Sequence, residues 1–194
     1  MSETTKVVTK QRFSQGFTYE DFLNQLSDGD RQPLIENMTA FQLASADANF
    51  FKDVVQRFPL KVIAIVGDNG GGRDVWRNLP IMATIAQASG MDMRIFPRDR
   101  NLDIMNLYLN QGKFMSIPVF AFFDQNLNPL CHWTERPKIA TEFINRVRSE
   151  PNTKNLSEEQ LRNEQNNRYL PLLPGWRLET VRELRELLSE TLSR

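Results

Sequence analysis

The chain has 194 residues, 40% apolar and 25% charged, which suits one folded domain with appendages and argues against intrinsic disorder. Lys+Arg and Asp+Glu both number 24, so the net charge is zero and the pI about 6.6; this balance argues against an extended basic surface for nucleic acid. One cysteine and one histidine rule out an intrachain disulfide and argue against a Cys/His zinc site. With no apolar run of signal-peptide or membrane-spanning length, the expectation is a cytoplasmic protein without cofactor, metal, nucleic-acid partner or membrane contact.

The N-terminal region reads as helical. Thr18 with Asp21 forms a variant capping box ahead of Tyr19, Phe22, Leu23 and Leu26 on one face, and Gly29 is expected to close that helix in the left-handed conformation. A second helix runs through Leu34, Ile35, Met38 and Phe41. Ser45 is the expected N-cap of a third, with Asp47 in its first turn, Phe50, Phe51, Val54 and Val55 inward, and Pro59 as its stop. These aromatics read as core.

Lys61–Val66 is a short β-branched apolar run, the mark of a buried strand, followed by a glycine-dense turn from Gly67 to Gly72. An amphipathic helix then runs from Asp74 to about Ser89, with Val75, Leu79, Met82 and Ala86 inward, an internal Pro80 that removes one hydrogen bond and bends it, and Gly90 at its end. Met91, Met93 and Ile95 alternate with Asp92 and Arg94 as a half-buried strand. Asn101 is placed to cap a short helix through Leu102, Met105 and Leu109. Val119–Phe123, a turn at Asp124–Asn128 and Leu130–Thr134 read as a hairpin, and Pro137 opens a helix with Ile139, Phe143, Ile144 and Val147 inward. After Arg148 the chain turns polar, with Ser157 able to cap a solvated helix. The last helix carries Leu178, Val181, Leu184, Leu188 and Leu192 inward, with Arg182 and Glu186 outward. That stripe needs a cover, either the chain's own domain or a second copy in a homodimer. Helices followed by β-α-β-α-β-β-α predict an α/β fold, a mixed sheet with helices on both faces.

NLP at Asn78–Pro80, RIFPRD at Arg94–Asp99, NLD at Asn101–Asp103, SIPVF at Ser116–Phe120 and ERP at Glu135–Pro137, in this order and spacing, resemble the thioredoxin superfamily. The similarity is to bacterial thioredoxin family proteins with extra helices at both ends. The resemblance implies a thioredoxin-like domain over 17–150, a C-terminal helical extension over 151–194, and a cis-proline at Pro118 after Ile117. Counting back from Pro80 on the family's spacing puts the two active-site cysteine positions at Gly72 and Val75, with Arg73 and Asp74 between them and Gly71 where the family carries tryptophan. The buried acid of thioredoxins corresponds to Val66. Both thiols and the proton-handling carboxylate are therefore missing, and thiol–disulfide exchange, which needs an attacking thiolate and a resolving thiol, has neither.

The resulting expectation is a redox-inactive binding or assembly module for a polypeptide, with a groove formed by Gly70, Gly71, Gly72, Arg73, Trp76, Ile117 and Pro118. The alternative is a thioredoxin-family oxidoreductase of cell redox homeostasis, working through Cys131 or related to such enzymes by descent alone. Strand periodicity sends Cys131 and His132 to opposite faces, which argues against a Cys–His dyad. Gly67–Asp74 has the glycine spacing of a nucleotide-binding loop, but Arg73 and Asp74 stand where lysine and Ser/Thr are needed, and triphosphate hydrolysis is rejected. A small anion held by the turn's N–H groups and Arg73 is a third, weaker reading. Gly72→Cys with Val75→Cys is expected to rebuild a bridge if the alignment holds.

Overall fold

Strand β1 (Lys61–Val66) is buried from Val62 onward, as its β-branched run requires, because helices cover it on both sides. In the computed structural model, which describes residues 6–193, it lies inside a four-stranded sheet of order β2-β1-β3-β4. Strand β2 (Asp92–Pro97) runs parallel to β1, Lys61 opposite Asp92 and Val66 opposite Pro97, so the two need a crossover, supplied by helix α5 (Arg73–Ser89). Strands β3 (Val119–Phe123) and β4 (Pro129–Thr134) add the antiparallel hairpin, β3 against β1. The mixed sheet and the α/β class agree with the pattern read from the chain.

One sheet face presents Val62, Ala64, Val66, Phe120 and Phe122 to α5 and to α2 (Tyr19–Gln25), α3 (Asp28–Thr39), α4 (Ser45–Arg57) and α9 (Leu173–Leu192). The other presents Ile63, Ile65, Phe96, Val119 and Phe123 to Phe13 of α1 (Lys10–Ser14) and to Ile104 and Met105 of α6 (Leu102–Met105). A third cluster joins α7 (Lys138–Ser149), α8 (Glu158–Tyr169) and the start of α9 through Phe143, Val147, Leu161, Tyr169 and Trp176. The terminal stripe docks on the chain's own domain: Val181, Leu184 and Leu188 are buried in the main core, each contributing about 1.5–3 kcal/mol. The stripe thus needs no second copy to cover it.

Several local expectations shift. Gly29 does not close α2; Ser27 caps α3, its hydroxyl accepting from the Asp30 N–H at 3.3 Å, and Gly29 falls in that helix's first turn. Ser45 is the first residue of α4, whose N-cap is Ala44, and Pro137 is the N-cap of α7 rather than a first-turn residue. Asn101 does not cap α6 through its side chain: its Nδ2 donates to the Pro97 carbonyl at 2.6 Å and its Oδ1 accepts from Arg12 at 2.8 Å, which ties α1 to this loop. Ile139 and Leu178 point outward, 47% and 58% exposed. Ala140, Phe143 and Val147 set the inward line of α7, and Trp176, Thr180 and Leu184 that of α9, leaving Leu178 on the far side of the helix.

Pro80 deletes a hydrogen bond inside an otherwise continuous α5. Two residues earlier, polar contacts from three segments converge on the buried side chain of Asn78. Its Nδ2 donates to the carbonyls of Asp74 at 3.0 Å and Glu135 at 3.1 Å, and its Oδ1 accepts from the Thr180 hydroxyl at 3.0 Å. The Glu135 N–H donates in turn to the Pro118 carbonyl at 2.7 Å, which holds Glu135 in the left-handed region at φ 70°. Asn78→Ala leaves the Thr180 hydroxyl and the Glu135 carbonyl without this partner; it is expected to destabilise the chain by about 2–4 kcal/mol in denaturant titration, and Thr180→Val by less.

Candidate functional site

Where β1 ends, the chain folds back through Gly67–Gly72 and enters α5. The Gly70 N–H donates to the Gly67 carbonyl at 3.1 Å, and Gly70, Gly71 and Gly72 all have positive φ, 81°, 71° and 82°. Gly71 lies against Gly67 backbone to backbone: a Cβ on Gly71 would stand 2.6 Å from the Gly67 nitrogen and 2.9 Å from Val75 Cγ2. Gly72 faces open space, but its φ 82° and ψ −177° fall in a region that is essentially restricted to glycine. The backbone of the turn therefore excludes side chains at two consecutive positions. A cysteine at 72 is strained in this conformation, so the engineered pair at 72 and 75 bridges only if the turn rearranges.

Gly72 is the exposed N-cap of α5, and Val75, one turn on, is fully buried in the main core. Arg73 is exposed and donates to the Arg162 carbonyl of α8 at 3.2 Å, while half-buried Asp74 pairs with Arg136 at 2.7 Å. The Ile117–Pro118 peptide is cis, and Ile117 Cδ1 stands 3.4 Å from the point where a Gly67 Cβ would lie, so this loop abuts the glycine turn. Of the groove residues expected from the sequence, Gly72 and Arg73 are exposed, Gly71, Trp76 and Ile117 half-buried, and Gly70 and Pro118 buried. Gly70 is covered by Leu26 and the Asp30 backbone, and Trp76 packs against the main core with its indole N–H buried and unpartnered. Residues at the α2–α3 junction on one flank and α8 on the other thus contact the glycine turn and the start of α5, which the local pattern of the turn did not reveal. The sequence reading also passed over Phe114 and Met115, 51% and 41% exposed just ahead of the cis-proline. The signal for them was an apolar pair inside the polar stretch Asn110–Ser116.

Cys131 sits opposite Phe122 on β3, which sits opposite Val62 on β1, four residues from Val66 and the turn. That separation is about 13 Å along the strand. The thiol is half-buried on the α9 face, where burial pushes its pKa up and a hydrogen bond with Thr191 partly offsets this. His132 turns to the other face, its ring 5.2 Å from that of Tyr108, with its pKa lowered by burial. The two side chains do not meet. Among the described residues no three His, Cys, Asp or Glu side chains converge to hold a metal ion, and no helix is long and apolar enough to cross a membrane.

A protein-family model described as Thioredoxin matches residues 16–154. The fold is similar to that of a protein of unknown function from Pseudomonas aeruginosa, at 14% identity and a TM-score of 0.63, covering 94% of this chain and 98% of the other. It is also similar to an HIV epitope-scaffold, at 14% identity and a TM-score of 0.61, with 94% and 99% covered. No curated protein matches the chain.

The glycine geometry orders the response to substitution. Gly72→Ala is expected to cost about 1–3 kcal/mol from backbone strain alone. Gly71→Ala, which adds the collision with Gly67 and Val75, is expected to cost more, read as the shift in unfolding midpoint of the two variants against the parent chain.

Proposed function

The chain belongs to the thioredoxin family, and from that premise we propose that it is a redox-inactive binding module, not an oxidoreductase. The observation that carries this reading is the position of its single thiol. Dithiol exchange needs a thiolate at a helix N-terminus and a second thiol beside it. Here the helix starts on glycine, the residue a turn later is a buried valine, and the one cysteine is about 13 Å along the sheet with its thiolate disfavoured. In this reading the site offers shape alone: the glycine turn abutting the Ile117–Pro118 loop, with exposed Phe114 and Met115 just ahead of Ile117 in the chain. Exposed apolar side chains beside such a loop suit an extended polypeptide segment with apolar side chains. In this reading residues 17–150 form the binding unit, residues 151–194 are its helical cover, and the protein works in the reducing cytoplasm, as a lone thiol allows.

Three outcomes are expected. Reduction of a protein disulfide by dithiothreitol runs no faster with this protein than without it, and identically with Cys131→Ser; catalytic turnover abolished by Cys131→Ser would overturn the reading. Alkylation of Cys131 by iodoacetamide in the native protein is slow at pH 7 and rises only at a higher pH than that of a free thiol, because a raised pKa leaves less thiolate at any given pH. By the same linkage, the thiol's contribution to stability is present below the unfolded pKa and lost as pH rises through the folded one. On a peptide array the chain is expected to select apolar segments, with signal lost on Met115→Asp; an array signal indifferent to that change would place binding elsewhere.

A further inference from the structure

Helices α5, α7 and α8 leave between them a cavity of about 240 Å³. Five arginines line it, Arg73, Arg77, Arg136, Arg148 and Arg162, with Asp74 as the one carboxylate of the lining. Arg136 is paired with Asp74 and Glu135, and Arg148 lies 3.3 Å from Glu158. Arg73, Arg77 and Arg162 have no such counter-charge among the described residues. Arg73 and Arg162 donate to the main-chain carbonyls of Arg162 and Glu158, and Arg77 lies 3.6 Å over the Tyr169 ring with an amide contact to Asn166 at 3.0 Å. Burial pushes the Arg77 guanidinium below its ordinary range, with the Tyr169 and Asp74 oxygens only partly offsetting this. The Nε–H of Arg136 is buried and has no acceptor. A half-buried cation without full counter-charge, as at Arg77, is costly, and guanidiniums lining one small space, those of exposed Arg73 and Arg162 included, repel one another.

We propose that this cavity binds the dianionic phosphoryl group of a small phosphorylated molecule. A guanidinium fork matches phosphoryl oxygens two at a time, and a tetrahedral group with several acceptor oxygens can engage forks from more than one helix, which a single planar carboxylate does less well. The uncompensated arginines come from α5 and α8, so the ligand would bridge the thioredoxin-like domain and the C-terminal segment. The inference is independent of the crevice beside Pro118 and stands or falls on its own test.

Calorimetric titration of the full chain with inorganic pyrophosphate at about 0.15 M salt, where loose surface attraction is screened, is expected to show one saturable site. Arg73→Gln with Arg162→Gln, both exposed and so compatible with an unchanged thermal midpoint, is expected to weaken it by about ten-fold or more. Arg57→Gln with Arg182→Gln, arginines elsewhere on the surface, is expected to leave it unchanged. Absence of a saturable site, equal loss in both double variants, or citrate binding as tightly as pyrophosphate would overturn the proposal. A phosphoserine peptide that binds more tightly than pyrophosphate would assign the phosphoryl group to a polypeptide and overturn the small-molecule assignment.

Discussion

The carboxamide of Asn78 is the joint on which the arrangement depends. It lies in the middle of three segments that are far apart in sequence: the crossover helix α5, the Glu135 corner at the end of β4, and α9. A neutral amide is the one side chain of this size that can donate two hydrogen bonds and accept another at once. In this buried position each of its partners would otherwise be a polar group without water. Through the Glu135 N–H the same joint reaches the Pro118 carbonyl, so the helix start and the cis-proline loop are fixed relative to each other through the main chain as well as by packing.

Around that joint the features of the fold lie apart. The glycine turn that opens α5 abuts the cis-proline loop, and no cysteine stands at either. Charge gathers on the α7 and α8 side, where Asp74 and Arg136 pair and further arginines line the cavity. The N-terminal helices close over Gly70 and hold Trp76 half-buried, so additions at both ends of the chain border the same turn. The terminal segments therefore belong to the shape of the site.

Much of the fold was legible because its periodicities are strong. The Lys61–Val66 run, the alternating steps of α5 and the Val119–Phe123 strand each have one interpretation, and their order leaves a mixed sheet as the outcome. What the chain concealed were choices decided by tertiary partners. Asn101 has the right chemistry for a cap, but a buried carbonyl and Arg12 claim its side chain. Ile139 and Leu178 are as apolar as their neighbours, and only the competing lines of α7 and α9 turn them outward. At the site, the family resemblance linked Gly72, Val75 and Pro118, the first two by the family's spacing from Pro80 and Pro118 by its place in the SIPVF motif. The arginine cavity was not legible, because its members are scattered from Arg73 to Arg162 and meet only when α8 folds back.

The tight passage of Gly71 over Gly67 also bears on how this turn can vary. Any single codon change that puts a side chain at the helix start enters a conformation hostile to it, so the loop has to be remodelled before a larger residue at position 71 or 72 becomes useful. The turn is locked by its own backbone, and variation is more freely accepted on other surfaces of the scaffold.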